Sequence, residues 1–409
     1  MLSEVGRRLG YREAFAYRSV DEVFQEHARL SGFENEGARA FDISGAEASG
    51  RAAFDRLAPF QWPFRGGEAP TPRLFAGGGF FTEDRMARFV AIAPPRLAAA
   101  VSEAWPFVLN TGRIRDQWHT MTRTGLSPRL STHIAEPFVE IHPDDAIRLR
   151  LEQGTLAKVE SVHGSAVLRV LVNRGQQPGT LFVPMHWSAE NSSAGRIGAL
   201  VQPATDPFSG QTEAKATPSR IAPQPVAHYG FLLSRQRVQP EALAYWARAR
   251  GAFGYILNFA LDEPPMGWSA WLRATMPAGD TMTFHDAAAG THRAAVLQDG
   301  RLQALVFVAA SPKLPSPDWL KSQFELVAIP ASERRDLLAG GPVEGAVDDG
   351  PTVCVCFQVG ARRIEAAAAA GNRSVEKIGR QLGAGTNCGS CIPEIRRLIA
   401  PKEVARELA

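Results

Sequence analysis

Four cysteines stand at positions 354, 356, 388 and 391 of a 409-residue chain, and none precedes them. Cys354 and Cys356 make a C-x-C inside TVCVCFQVG, and Cys388 and Cys391 make a C-x-x-C inside NCGSC, with thirty-one residues between the pairs. No other feature limits the fold as much. If the four thiols act together, the last seventh of the chain is a module with a centre of its own. The N-terminal stretch MLSEVGRRLGYREAFAYRSV scatters charges and holds no apolar h-region, so a signal peptide is not expected. A cytoplasmic location is the default. There, clustered thiols are metal ligands or catalytic groups more often than disulfides.

Thiolate is a soft ligand that suits zinc or iron–sulfur clusters. A structural zinc site pairs two C-x(2–4)-C knuckles around one tetrahedral ion, and C-x-C is tighter than that. A [2Fe–2S] cluster has two irons, each needing two thiolates. Two close pairs, each serving one iron, meet that demand. The second pair also precedes a helix, whose N–H groups and dipole favour thiolates and an anionic cluster. Spacing alone leaves zinc and a redox dithiol open.

A chain of this length implies two to four domains on the usual prior of roughly 100–200 residues each. Hydrophobic content of 45% and charge of 21% are those of a globular protein. No apolar run approaches the ~18 residues of a membrane span, so no membrane partner is expected. A net charge of +3 does not suggest nucleic acid. Residues 351–409 carry nine Lys/Arg and five Asp/Glu, a net of +4, which could steer an acidic protein partner to the tail. Scattered solvated arginines are the plainer reading.

Residues 1–35 read as helical, with Val20, Val23 and Phe24 at i, i+3, i+4 and Leu30 near the stripe. Residues 36–100 are rich in Gly and Pro and read as irregular. From about 105, PFVLN, FVEIH, LAKVESV, AVLRVLVN and TLFVPMHW are short strands between turn signals, which indicates a β-barrel. HPDDAIRLRL between them reads as a helix, with Pro143 at its first position and Asp144 and Asp145 in its first turn. After a polar, Pro-rich stretch at 194–226 comes a smaller α/β region. AHYGFLLS is a strand, PEALAYWARAR a helix, HRAAVLQDGRLQALVFVAA a hairpin turning at Asp299-Gly300, and SPDWLKSQFEL a helix. Residues 340–352 read as a linker. In the tail, Ser374 is an N-cap with Val375, Ile378 and Leu382 on one face and Gly383 at the C-terminal end. A second helix is expected from Cys391-Ile392-Pro393.

The tail, with Gly385, Thr386, Cys388, Gly389, Cys391, Pro393, Glu394 and Arg396 after the C-x-C, resembles the bacterioferritin-associated-ferredoxin-like domain. That is a helical module binding one [2Fe–2S] cluster. The resemblance implies Cys354, Cys356, Cys388 and Cys391 as its ligands.

A second constellation lies in FVLNTGRIRDQWHTMTRTG. A glycine that lets the chain turn, followed by arginines, threonines, Trp118 and His119, offers cations, hydroxyls and N–H groups suited to a phosphate-bearing ligand. A polar loop on a barrel rim explains the same residues. The segment from about 103 to 222 resembles the C-terminal molybdopterin-dinucleotide-binding domain of the molybdenum oxidoreductases, a double-psi β-barrel, and is closest to the bacterial nitrate reductases. The matching motif comprises Thr111, Gly112, Arg113, Trp118, His119, Thr120, Thr122 and Arg123. A second block comprises Phe182–Trp187 with His186, then Asn191, Asp206, Pro207, Ser209, Glu213 and Lys215. In that family the two blocks contact the pterin and guanine ends of the cofactor, which implies Thr111, Gly112, Arg113, Trp118, His119, Thr120, Thr122, Arg123, His186, Asn191 and Lys215 as cofactor-binding. His133 and His142 read as structural. Residues 285–340 look like the middle region of the large siroheme-type nitrite reductase subunit.

Together these resemblances imply a multidomain α+β chain like the C-terminal half of an assimilatory, cytoplasmic nitrate reductase. Residues 1–102 would be a helical and irregular remainder of a preceding molybdopterin oxidoreductase domain. Residues 103–225 would be the double-psi barrel, 226–345 a small α/β spacer, and 346–409 a small all-α [2Fe–2S] domain. The cofactors implied are molybdopterin guanine dinucleotide (Mo-bis-MGD) and one [2Fe–2S] cluster. The substrate would be nitrate, with electrons from ferredoxin, flavodoxin or an NADH-dependent reductase. The family's [4Fe–4S] motif and molybdenum ligand have no counterpart here, since no cysteine precedes Cys354. The catalytic half is therefore expected elsewhere, no catalytic residue is assigned, and this chain alone is expected not to reduce nitrate. A non-catalytic electron-transfer subunit, or part of another molybdopterin oxidoreductase such as formate dehydrogenase, is the alternative.

Overall fold

Contacts between Cα atoms divide the chain into two units, Met1–Pro95 and Arg96–Ala409. The computed structural model describes all residues except 48–49, 94–95, 265, 342–348 and 401–409. The linker expected at 340–352 lies mostly outside the described residues.

The first unit holds α1 (Leu2–Arg8), α2 (Val20–Gly32) and α3 (Arg51–Asp55), with much irregular chain between them. The stripe expected to be buried on α2 is not. Val20, Val23 and Leu30 are exposed, whereas Asp21, Ala28 and Ser31 are buried. Polar fastening decides the docking face. The Ile43 amide donates to Ser31 Oγ at 2.8 Å, and Asn35 Nδ2 donates to Asp42 at 2.8 Å. Phe24 packs against Phe54, ring centroids 5.3 Å apart.

The second unit opens with a closed six-stranded barrel. Its strands are β1 (Phe107–Gly112), β2 (Phe138–Ile141), β3 (Leu156–Ser161), β4 (Gly164–Val172), β5 (Thr180–Pro184) and β6 (Thr217–Pro223), in the order β1-β5-β2-β4-β3-β6. β1 runs parallel to β5 and β2 to β4, while the other pairings are antiparallel. Alternation makes the core. Leu109, Ile141, Val159, Leu168, Val170, Leu181 and Val183 are fully buried, and their neighbours point outward. Short α4 (Pro128–Ser131) and α5 (Pro143–Arg148) lie between strands. His142 caps α5, its Nδ1 accepting from the Asp144 amide at 3.2 Å, which agrees with its structural reading.

Six more strands, β7 (His228–Ser234), β8 (Leu243–Gly251), β9 (Gly254–Leu261), β10 (Asp280–Asp286), β11 (Thr291–Gln298) and β12 (Arg301–Ala309), form a sheet in the order β10-β11-β12-β7-β9-β8. Every pairing in it is antiparallel. The hairpin at Asp299-Gly300 falls where the sequence places it, both residues having positive φ. The helix expected from PEALAYWARAR is instead β8. Alanine and arginine favour helix, but Tyr245 and Ala247 are buried at a spacing of two and the segment pairs along its length with β9. Tertiary pairing overrides propensity there.

Both faces of this sheet are covered, which is why β7 is buried at every residue. α6 (Trp268–Thr275) covers Leu257, Phe259 and Val306 with Trp271 and Leu272. α7 (Pro317–Gln323) and α8 (Arg334–Ala339) cover Phe231, Leu305 and Phe307 with Leu320 and Leu337.

The tail adds β13 (Thr352–Cys354), β14 (Val359–Gly360), α9 (Ala361–Ala369), α10 (Val375–Leu382) and α11 (Ile392–Ile399). Ser374 caps α10, accepting from the Lys377 amide at 3.3 Å, and Gly383 ends it at φ 74°. The module is helical but not all-α, because β13 and β14 form a two-stranded antiparallel ladder. The sharp return between Cys354 and Val359 closes it. Among the described residues no helix is long and apolar enough to cross a membrane.

Candidate metal centre and cofactor loop

All four cysteines are free thiols: Cys354 and Cys391 are buried in one small core, Cys356 packs against it, and Cys388 is exposed beside it. Cys354 ends β13, and Cys356 sits in the turn that follows. Cys391 caps α11, and Cys388 lies in the preceding loop, where Gly385 and Gly389 take φ of 86° and 73°. Those left-handed turns fold NCGSC back on itself at little cost only because they are glycines. The thiols that meet belong to different sequence pairs. Cys356 Sγ and Cys388 Sγ are 3.5 Å apart, and the buried thiols of Cys354 and Cys391 are hydrogen-bonded to each other. Among the described residues no three or more His, Cys, Asp or Glu are spaced to hold one metal ion. The thiols stand in twos.

Polar groups already address the more open pair. Asn387 Nδ2 is 3.3 Å from Cys356 Sγ, and Ser390 Oγ is 3.2 Å from Cys388 Sγ. Ser390, through side chain and backbone, and then Cys356 lower the Cys388 pKa. Burial, and then Cys354, push the Cys391 thiol up to about 11. A buried thiol of that kind stays protonated near neutrality unless a cation takes its place. Four soft donors without a disulfide, held as two contacting pairs, therefore fit a dinuclear iron–sulfur cluster.

The second constellation is a loop that leaves β1 at Gly112. Lys215 Nζ donates to Thr111 O, and Thr111 Oγ1 donates to Ala214 O at 2.6 Å. His186 is fully buried behind the loop. Its Nε2 accepts from the Ile114 amide at 3.0 Å and its Nδ1 donates to His119 O at 2.6 Å. Both ring nitrogens are thus engaged, and burial lowers its pKa. His186 shapes the loop from behind. Asp116, His119 and Met121 all take positive φ, which for side-chain-bearing residues marks a backbone forced by its surroundings.

On the accessible side, Arg113 stacks over Trp118 with its guanidinium carbon 4.5 Å from the ring centroid, and His119, Thr120, Thr122 and Arg123 are exposed. A cavity of about 470 Å³ gathers Thr120, Thr122 and Asn191. Arg237, Arg248 and Arg250 also line it, and the sequence did not mark them, because they come from β8 and the chain before it. Arg248 is buried and its Nη1 has no hydrogen-bond partner. Cations, hydroxyls and one orphaned guanidinium nitrogen suit an anionic, phosphate-bearing cofactor. Asp206 instead caps its own turn, accepting from the Phe208 and Ser209 amides at 3.0 and 2.7 Å.

Residues 107–218 match the family described as molydopterin dinucleotide binding domain, and residues 352–401 match the BFD-like [2Fe-2S] binding domain. The chain is 40% identical over 98% of its length to a nitrate reductase of Klebsiella oxytoca, covering 46% of that protein. It is 30% identical over 50% of its length to the assimilatory nitrate reductase catalytic subunit of Bacillus subtilis, covering 28% of it. It is 26% identical over 47% of its length to the F420-dependent formate dehydrogenase subunit alpha of Methanocaldococcus jannaschii, covering 26% of it. The chain thus spans less than half the length of each of these relatives.

Proposed function

We propose that this chain, which carries a molydopterin dinucleotide binding domain and a BFD-like [2Fe-2S] binding domain, is the C-terminal portion of a molybdenum-dependent nitrate reductase that serves nitrate assimilation. The observation that carries the reading is that the cysteine quartet lies directly against the loop bearing the Thr111–Arg123 motif. Arg115 of that loop donates to Val353 O, next to Cys354, at 2.9 Å.

When bound, a molybdenum pterin would supply the oxygen-atom transfer by which nitrate, two electrons and two protons give nitrite and water. The protein's part is holding and steering. Arg113, Trp118, Thr120, Thr122, Arg123 and Asn191 would bind the cofactor's polar groups, with Lys215 and His186 fixing the loop that presents them. Cys354, Cys356, Cys388 and Cys391 would hold the [2Fe–2S] cluster. The six-stranded barrel is read as double-psi, given its two parallel pairings within an otherwise antiparallel closed sheet. The donor is proposed to be ferredoxin, flavodoxin or an NADH-dependent reductase, and the location the cytoplasm. Nitrate is favoured over formate because the nitrate reductase likeness runs through 98% of the chain and the formate dehydrogenase likeness through 47%.

The test is iron and sulfide analysis with electron paramagnetic resonance of the dithionite-reduced chain. A [2Fe–2S] signal at two irons per chain is expected. One zinc and no iron would end the reading.

A further inference from the structure

The loop that binds the cofactor in this reading also grips the cysteine module. The Arg115 side chain is largely buried between them. Its Nη2 donates to Val353 O at 2.9 Å and pairs with Glu394 Oε2 at 3.1 Å, and its Nη1 reaches Ser390 O at 3.4 Å. Val353 precedes Cys354, and Ser390 precedes Cys391, so one guanidinium braces both chain segments that carry the buried thiols. The base of the fork is set by its own side of the interface. Asp116 Oδ2 lies 3.5 Å from Arg115 Nε and 2.6 Å from His133 Nδ1. His133 Nε2 in turn lies 3.2 Å from Arg115 Nη2 and 3.0 Å from Thr352 O. Arg129 Nη1 adds a bond to Cys356 O at 3.1 Å.

We propose that Arg115 is a positioning residue that docks the cysteine module on the cofactor loop and stabilises the reduced form of the cluster held there. The second half of the proposal rests on the cluster reading above; the docking half does not. A guanidinium is suited to the task because it stays charged and its rigid fork serves several acceptors at once. Cations and hydrogen bonds beside an iron–sulfur cluster favour the more negative, reduced state. Arg113 and Trp118 stand two and three residues from Arg115 on the same loop. By linkage, a ligand that orders the loop tightens the docking, and docking in turn favours the loop's bound form.

The experiment uses the full 409-residue chain. Arg115→Glu should raise hydrogen exchange in peptides covering 113–118 and 388–394 together, by about tenfold, the loss of a charged hydrogen-bond set. Adding Glu394→Arg should bring both back toward the parent, and Glu394→Arg alone should not. In cluster-loaded protein, Arg115→Gln should move the midpoint potential to more negative values with the visible spectrum unchanged. Unaltered exchange in Arg115→Glu, or a charge swap no better than the single variant, overturns the docking role. An unmoved potential in Arg115→Gln overturns the electrostatic one. If Arg115→Glu fails to fold, Arg115→Gln carries the exchange test with the same expectation. If the chain holds no iron, the cluster reading fails while the exchange result still decides the docking.

Discussion

Cys356 and Cys388, 32 positions apart in the chain, bring their sulfurs to 3.5 Å, while Cys354 and Cys391 meet beneath them in the core. The two contacts differ in burial, and that difference sets distinct outcomes for their loss. Cys388→Ser should abolish the visible absorption and electron paramagnetic resonance of the cluster yet leave the melting of the cluster-free chain within about 0.5 kcal/mol, since the side chain is exposed. Cys391→Ser should abolish the same signals and also destabilise the module by about 1–3 kcal/mol, because its hydroxyl would lie among Ile364, Ile378 and Ile395. Thermal denaturation of the cluster-free forms separates the two.

His292 lies deep in the second sheet, stacked on Trp268 with ring centroids 3.8 Å apart and its Nδ1 2.7 Å from that of His285. Burial first, then His285 and His228, lower its pKa from 6.5 to about 4. The neutral ring is favoured in the fold, so its contribution is complete above pH 6.5. Between 6.5 and about 4 the unfolded chain takes up a proton that the folded chain refuses, and stability falls. Urea unfolding across that window should show the decline, and His292→Phe should flatten its slope. An equal slope in the variant would assign the pH dependence elsewhere.

Arg169 on β4 joins the barrel to the second sheet. Its side chain is 16% exposed, pairs with Glu136 at 2.9 Å, and stacks over Tyr229 and Tyr245, whose hydroxyl donates to the same carboxylate at 3.2 Å. Breaking one partner strands the other. Glu136→Ala should cost about 3–5 kcal/mol, and the double change Glu136→Ala with Arg169→Met should recover a large part of it. Chemical denaturation of the three variants measures the coupling directly.

Five of the six barrel strands were legible because they alternate between turn signals, whereas β6 (Thr217–Pro223) lies inside the polar, Pro-rich stretch at 194–226 and shows itself only by pairing with β1 and β3. The Ser374 and Gly383 signals likewise bracket α10 correctly. β8 was misread because its alanines and arginines carry helix propensity and only pairing with β9 reveals its period. The stripe on α2 failed for a related reason, since the bond that Ser31 accepts from the Ile43 amide and the one that Asn35 donates to Asp42 chose the buried face. Within the site, the cysteines were visible because spacing is chemistry, but their cross-pairing depends on how β13 and α11 converge. Arg115, Arg248 and Arg250 went unmarked because an arginine acquires its meaning from partners distant in sequence.

The cofactor loop offers a contrast between presenting and supporting residues. Trp118 is 51% exposed and touches Arg113, whereas His186 is fully buried and bonded to the backbone at both ends of the loop. Trp118→Ala removes a stacking surface from solvent and should change stability by no more than about 0.5 kcal/mol. It should nonetheless lower pterin retained through purification, read from the fluorescence of the oxidised pterin. His186→Ala strands the Ile114 amide and His119 carbonyl and should cost about 1–3 kcal/mol, with pterin lost as a consequence of the loop's collapse. His186→Gln, which can offer an acceptor and a donor in similar places, should recover part of both. Equal stability loss in Trp118→Ala and His186→Ala would contradict the division between a residue that meets the cofactor and one that only shapes its loop.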